Sequence, residues 1–146
     1  MMELTRKGEY AIRGIVFLAQ QPPGEMVLMS DLAAATDAPA AFMAKILQAF
    51  VKQGIVRSFR GAKGGFTLAR PAGSITLREI VESVEGPIVP NRCLTGRGAC
   101  ERDGGCNVHP VWKRVQAQVI SILDGVTIAE LARGHDRPAG KSGKKG

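Results

Sequence analysis

The sequence predicts a mainly α-helical chain carrying one small β-hairpin. Apolar residues recur at three- and four-residue spacing in several segments, each bounded by a capping residue or a glycine or proline stop. One pair of neighbouring short strands is indicated, 55–59 and 66–69, joined by a basic, glycine-rich link. A length of 146 residues with 45% hydrophobic content suits one domain with appendages.

Taken in order, Thr5 is placed to cap a first helix reaching about Gln20, where Gln21-Pro22-Pro23-Gly24 stops it. Tyr10, Ile12, Ile15, Val16, Leu18 and Ala19 cover more than one face of this helix, which predicts burial on much of its surface. Residues 27–29 are short, enough for one edge strand. Ser30 is read as the cap of a second helix over 31–36, with Asp31 at the positive end of its dipole. Asp37-Ala38 makes a tight turn, and Pro39 suits the first position of a third helix, where its missing amide is not needed.

That third helix carries Phe42, Met43, Ile46, Leu47, Phe50 and Val51 at helical spacing and ends at Gly54. The hairpin follows. Thr76-Leu-Arg-Glu79 is a capping box opening a helix that stops at Gly86-Pro87. From about Pro110 a longer helix places Val111, Trp112, Val115, Val119, Ile122 and Leu123 on one stripe. Thr127-Ile-Ala-Glu130 is a second capping box starting a short final helix. The Gly-, Lys- and Ser-rich residues 133–146 read as a disordered basic tail.

Charge is unevenly spread. The formal net charge is +7, and residues 38–78 hold Lys45, Lys52, Arg57, Arg60, Lys63, Arg70 and Arg78 with no acid among them. A basic block inside an ordered region points to a polyanion. Two helices, a three-residue turn and a basic hairpin form the pattern of a winged helix-turn-helix over 1–86. The second helix of such a pair enters the major groove with its N-terminal residues at the base edges. Ser30, Pro39, Ala40, Ala41, Ala44 and Lys45 would form that approach. Arg57, Arg60, Gly61, Lys63 and Gly64 would form a wing on the phosphates or in the minor groove.

All three cysteines and one of the two histidines fall within seventeen residues, Cys93, Cys100, Cys106 and His109, with intervening gaps of six, five and two residues. The odd count argues against full disulfide pairing. Zinc, an iron–sulfur cluster and a redox-active thiol compete for this loop at 87–109. Structural zinc favours closer cysteine pairs, whereas a cluster accepts wide separations and an occasional histidine. Arg92, Arg97 and Arg102 could lower a thiol pKa.

The opening Met2-Glu-Leu-Thr-Arg-Lys-Gly-Glu-Tyr-Ala11, the wing Val56-Arg-Ser-Phe-Arg-Gly-Ala-Lys-Gly-Gly-Phe66 and the cysteine loop together resemble the bacterial IscR, NsrR and RirA regulators. The resemblance spans about residues 2–132. It implies a homodimeric transcriptional repressor holding a 2Fe–2S or 4Fe–4S cluster and sensing cluster status, iron, nitric oxide or redox state. Residues 110–132 would comprise the dimerisation helix, about 110–124, and the short final helix, the long helix packing against its twin through Val111, Trp112, Val115, Val119 and Ile122. The resemblance assigns Cys93, Cys100 and Cys106 as ligands. His109 matches the histidine of the IscR branch, while Glu9 occupies the position from which, in another branch, an acidic residue of the partner subunit completes the cluster. Ala44 stands where IscR-type recognition helices carry a discriminating glutamate, so the operator need not be the IscR one.

The reading is thus a cytoplasmic regulator of double-stranded DNA, with no membrane segment and no small-molecule substrate. No apolar signal region opens the chain and no run approaches a membrane span. Catalysis is not expected: the glycine-rich link lies between two strands, which is wrong for a phosphate-binding loop, and no nucleophile motif accompanies a histidine. The alternative is a zinc- or thiol-dependent winged helix that binds protein and not DNA.

Overall fold

The computed structural model describes residues 4–61, 64–89 and 107–133. Its elements run α1 (Arg6–Ala19), α2 (Met29–Thr36), α3 (Ala40–Lys52), β1 (Val56–Phe59), β2 (Gly65–Leu68), a 3-10 turn (Ala72–Ser74), α4 (Leu77–Glu85), α5 (His109–Asp124) and α6 (Ile128–Arg133). The expected mainly helical fold with one antiparallel hairpin is observed.

Local chemistry explains most boundaries. Thr5 Oγ1 accepts the Gly8 amide at 3.1 Å and starts α1. Thr76 and Glu79 form the full reciprocal box at α4, and Thr127 and Glu130 repeat it at α6, with amide-to-side-chain bonds of 2.9 and 3.2 Å. Between α2 and α3 the chain turns at Asp37, whose φ of 59° is left-handed, a conformation Asp tolerates better than most residues. The Ala38 amide then reaches back to the Ala33 carbonyl at 3.1 Å, closing α2 with a Schellman bond.

Two expectations at these helix starts are corrected. Ser30 does not cap α2: the helix begins at Met29, and the capping position is Leu28, which makes no side-chain bond. The reason lies in the preceding residue. Val27 is bridged to Phe66 by two 2.9 Å backbone bonds, so the expected strand shrinks to one residue and the chain turns into the helix at once. Pro39 likewise precedes α3 as its cap, with ψ at 136°, and Ala40 is the first helical residue.

The core sits where α1, α2, α3, the inner face of the hairpin, α4 and α6 meet. Ala11, Ile15, Leu32, Met43, Ile46, Leu47, Phe50, Val56, Ile75, Ile80 and Ile128 are all 2% exposed or less. Burial of each larger apolar side chain contributes about 1.5–3 kcal/mol. Thr36 is the buried polar member, and its hydroxyl donates to the Leu32 carbonyl at 2.8 Å. Residues after α5 return to this core: Leu77 N–H donates to Val126 O at 2.8 Å and Ile128 N–H to Ile75 O at 2.9 Å. Helix α5 differs from the others, because none of its residues is fully buried.

Candidate nucleic-acid interface and cysteine loop

Helix α3 is held from below by Met43, Ile46, Leu47 and Phe50, which leaves the opposite face to solvent. On that face Ala40, Ala41 and Lys45 are exposed and Ala44 is half-buried, beside the exposed Pro39. Ser30 is exposed in the first turn of α2. The same face carries Gln48, exposed one turn beyond Ala44, which the sequence reading passed over. Its spacing of four from Ala44 and seven from Ala41 was the available signal. A glutamine amide can donate and accept together, the pattern an adenine edge presents.

Helix α1 fixes the placement of this pair of helices. The Tyr10 ring meets Phe42 edge-on at 5.7 Å and 84°. Arg13 stands over the Tyr10 ring at 5.7 Å, donates to the Thr36 carbonyl at 3.4 Å and pairs with Glu9 at 3.6 Å. A cation therefore sits at the carbonyl end of α2, where the helix dipole favours it.

The wing is a four-residue antiparallel pair, with Val56 opposite Leu68 and Phe59 opposite Gly65. Its turn is pinned by the Gly64 N–H to Gly61 O bond of 2.9 Å, and Gly61 holds a φ of 102° that a side chain would oppose. Arg57, Arg60 and Gly61 are exposed and Gly64 is half-buried. Lys63, Cys93, Cys100, Cys106 and residues 134–146 lie outside the described residues.

Both ends of the cysteine loop are nevertheless placed. Ile88 is 5% exposed, and its carbonyl accepts Gln116 Nε2 of α5 at 2.8 Å. At the other end His109, half-buried, is the first residue of α5. Ile88 is thus bonded to the same helix that His109 opens. Three thiols and an imidazole are a donor set that suits an iron–sulfur cluster. Glu9 is exposed on the first turn of α1, its charge met by Arg13. Among the described residues no three Cys, His, Asp or Glu side chains converge as a metal site, and no helix is long and apolar enough to cross a membrane.

The five predicted apolar residues of α5 are incompletely covered. Val111 is 49% and Ile122 65% exposed, and Trp112, Val115 and Val119 are half-buried.

Comparison with known proteins agrees with this architecture. The Rrf2 family model, described as an iron-dependent transcriptional regulator, matches residues 4–134. Rv1287 of Mycobacterium tuberculosis, assigned as an HTH-type transcriptional regulator, is 35% identical over 134 residues, covering 91% of this chain and 83% of its own length. The transcriptional regulator IscR of Salmonella paratyphi B is 27% identical over 135 residues, covering 92% and 82%. The structure of CymR, the global cysteine regulator of B. subtilis, superposes with a TM-score of 0.76 at 26% identity, covering 93% of this chain and all of CymR. These relatives are regulators, not enzymes, and the winged helix described above is the fold they share with it. The chain belongs to the Rrf2 family of transcriptional regulators.

Proposed function

We propose that this regulator is a homodimeric repressor that binds an operator through α3 and the wing and responds to an iron–sulfur cluster in its cysteine loop. The observation that carries the DNA reading is the outer face of α3. It is exposed, small-sided and basic at Lys45, and it lies in a stretch from 38 to 78 without one acidic residue. Small side chains let the helix backbone approach base edges closely. Lys45 and Gln48 supply the polar contacts, and Arg57, Arg60 and Lys63 neutralise phosphates.

In this reading residues 1–86 bind DNA, 87–109 hold the cluster and 110–132 join the two subunits. Residues 133–146 form a basic tail. A bound cluster would supply a constraint sensitive to oxidation, iron supply or small ligands. Cys93, Cys100 and Cys106 would hold it, with His109 or the Glu9 carboxylate completing the set. The chain's own part is mechanical. The Gln116 bond to Ile88 and the start of α5 at His109 tie the loop to the dimer helix, while Arg13 ties Glu9 to the turn between α2 and α3. A change in the loop thus bears on the spacing of two recognition helices, a two-state element biased by a ligand. Val111, Trp112, Val115, Val119 and Ile122 would supply the apolar contact between subunits, which their incomplete cover in one chain supports.

The test is titration of the anaerobically purified protein onto duplex DNA over a range of salt. Affinity is expected to fall steeply as salt rises, with Lys45→Ala lowering the slope by about one counterion. Absence of binding at low salt removes the DNA reading and leaves the protein-binding alternative.

A further inference from the structure

The wing carries an exposed aromatic ring that the reading above leaves unused. Phe59 ends β1 and is 41% exposed, against 1% for Phe50 in the core. Strand alternation sets Phe59 on the same outer face as Arg57, while Val56 turns inward and is buried. The register places Gly65 opposite Phe59. A Cβ at Gly65 would lie 2.6 Å from the Val27 carbonyl oxygen, so no cross-strand side chain can stand there to cover the ring. Arg60 follows directly and is exposed, as is Arg57.

Charge selects the partner for this ring. An apolar group bracketed by two arginines, in a hairpin without acids, suits a surface whose rim is anionic and whose interior is apolar. Duplex DNA has that profile: phosphates border the groove, and sugars and base edges line it. We propose that Phe59 is an apolar DNA contact of the wing, its ring packed on deoxyribose and base edges of the minor groove while Arg57 and Arg60 take the flanking phosphates. The inference rests on the DNA-binding reading and adds to it a contact of a different physical kind. Arginine contacts release counterions and so shape the salt dependence; contact by the ring releases none.

The experiment uses the anaerobically purified full chain to select a duplex from a randomised pool. Wild type, Phe59→Ala and Arg60→Ala are then titrated onto that duplex across a range of salt. Phe59→Ala is expected to lose about tenfold in affinity at every salt concentration with the slope unchanged. Arg60→Ala is expected to lower the slope by about one. If the alanine variant melts early, Phe59→Leu replaces it, with an expected loss of about threefold because a flat ring surface is replaced by a smaller branched one. Wild-type affinity in the folded Phe59 variant overturns the proposal and leaves the DNA reading standing. Failure of wild type to bind any duplex overturns both.

Discussion

Arg70 grips Glu79 with both terminal nitrogens, Nη1 at 2.6 Å and Nη2 at 3.1 Å, and thereby joins the end of the wing to the start of α4. Nη2 also donates to the Ser74 carbonyl, and Glu79 reaches back to the Thr76 amide at 3.4 Å. One carboxylate thus serves an ion pair and a helix cap together. The Arg70 hydrogen bond holds the Glu79 carboxyl below its ordinary value; the Thr76 amide and the Arg70 charge act the same way, against partial burial. The same bond raises Arg70.

A carboxyl depressed in the folded state contributes stability that is complete above its unfolded pKa, near 4.5, and is lost as pH falls through the lower folded value. Glu79→Gln is therefore expected to melt lower than wild type at pH 7, with the gap narrowing in acid. The effect is small, since the side chains are 35% and 38% exposed. Equal gaps at pH 7 and pH 3 would count against the pairing.

Gly8 makes room for Glu85. The Glu85 carboxylate accepts both the amide and the hydroxyl of Thr5 at 2.8 Å, and a Cβ on Gly8 would lie 2.3 Å from that oxygen. Gly8→Ala is expected to cost about 1–2 kcal/mol by displacing the carboxylate from two bonds. In a Glu85→Ala background the same change is expected to be neutral or to stabilise by up to about 1 kcal/mol, since alanine is the better helix former. Denaturant melts of the double-mutant cycle read this directly, and additive costs would refute it.

Ile122 is the most exposed large apolar residue of α5. Ile122→Ser is expected to shift sedimentation towards the monomer while leaving the helical content of the chain unchanged. An unaltered dimer mass would place the subunit contact elsewhere.

The fourth cluster ligand is assigned by pairing His109→Ala with Glu9→Ala and following visible absorbance and iron content under anaerobic conditions. The replaced ligand is expected to change the spectrum and speed iron loss to a chelator. A colourless, iron-free wild type containing zinc would remove the cluster from the reading altogether.

Lys45→Ala and Gln48→Ala separate two roles on α3. Loss of Lys45 is expected to weaken all duplexes alike, while loss of Gln48 is expected to relax base preference at one position by about 1–3 kcal/mol. Equal weakening of selected and unrelated duplexes by Gln48→Ala would deny it a reading role.

The helical elements were legible because their signals are local. Thr5, Thr76 and Thr127 each cap within three residues of themselves, and the 3.6-residue spacing of Met43, Ile46, Leu47 and Phe50 marks the buried face of α3 without any knowledge of what covers it. The start of α2 is not legible for the complementary reason. Ser30 looks like a cap in sequence, but the true start is set by Val27 pairing with Phe66, thirty-nine residues away.

By itself, then, the sequence determined the fold class, the acid-free basic stretch and the cysteine spacing, all carried by residue type and short-range order. Tertiary structure alone decided that Arg13 reaches the end of α2 and that the ring of Phe59 is left bare opposite Gly65. It also decided that the Ile88 carbonyl, ahead of the cysteines, accepts a hydrogen bond from Gln116 of α5. These relations join positions distant in the chain, and only packing of the whole core fixes which of them meet.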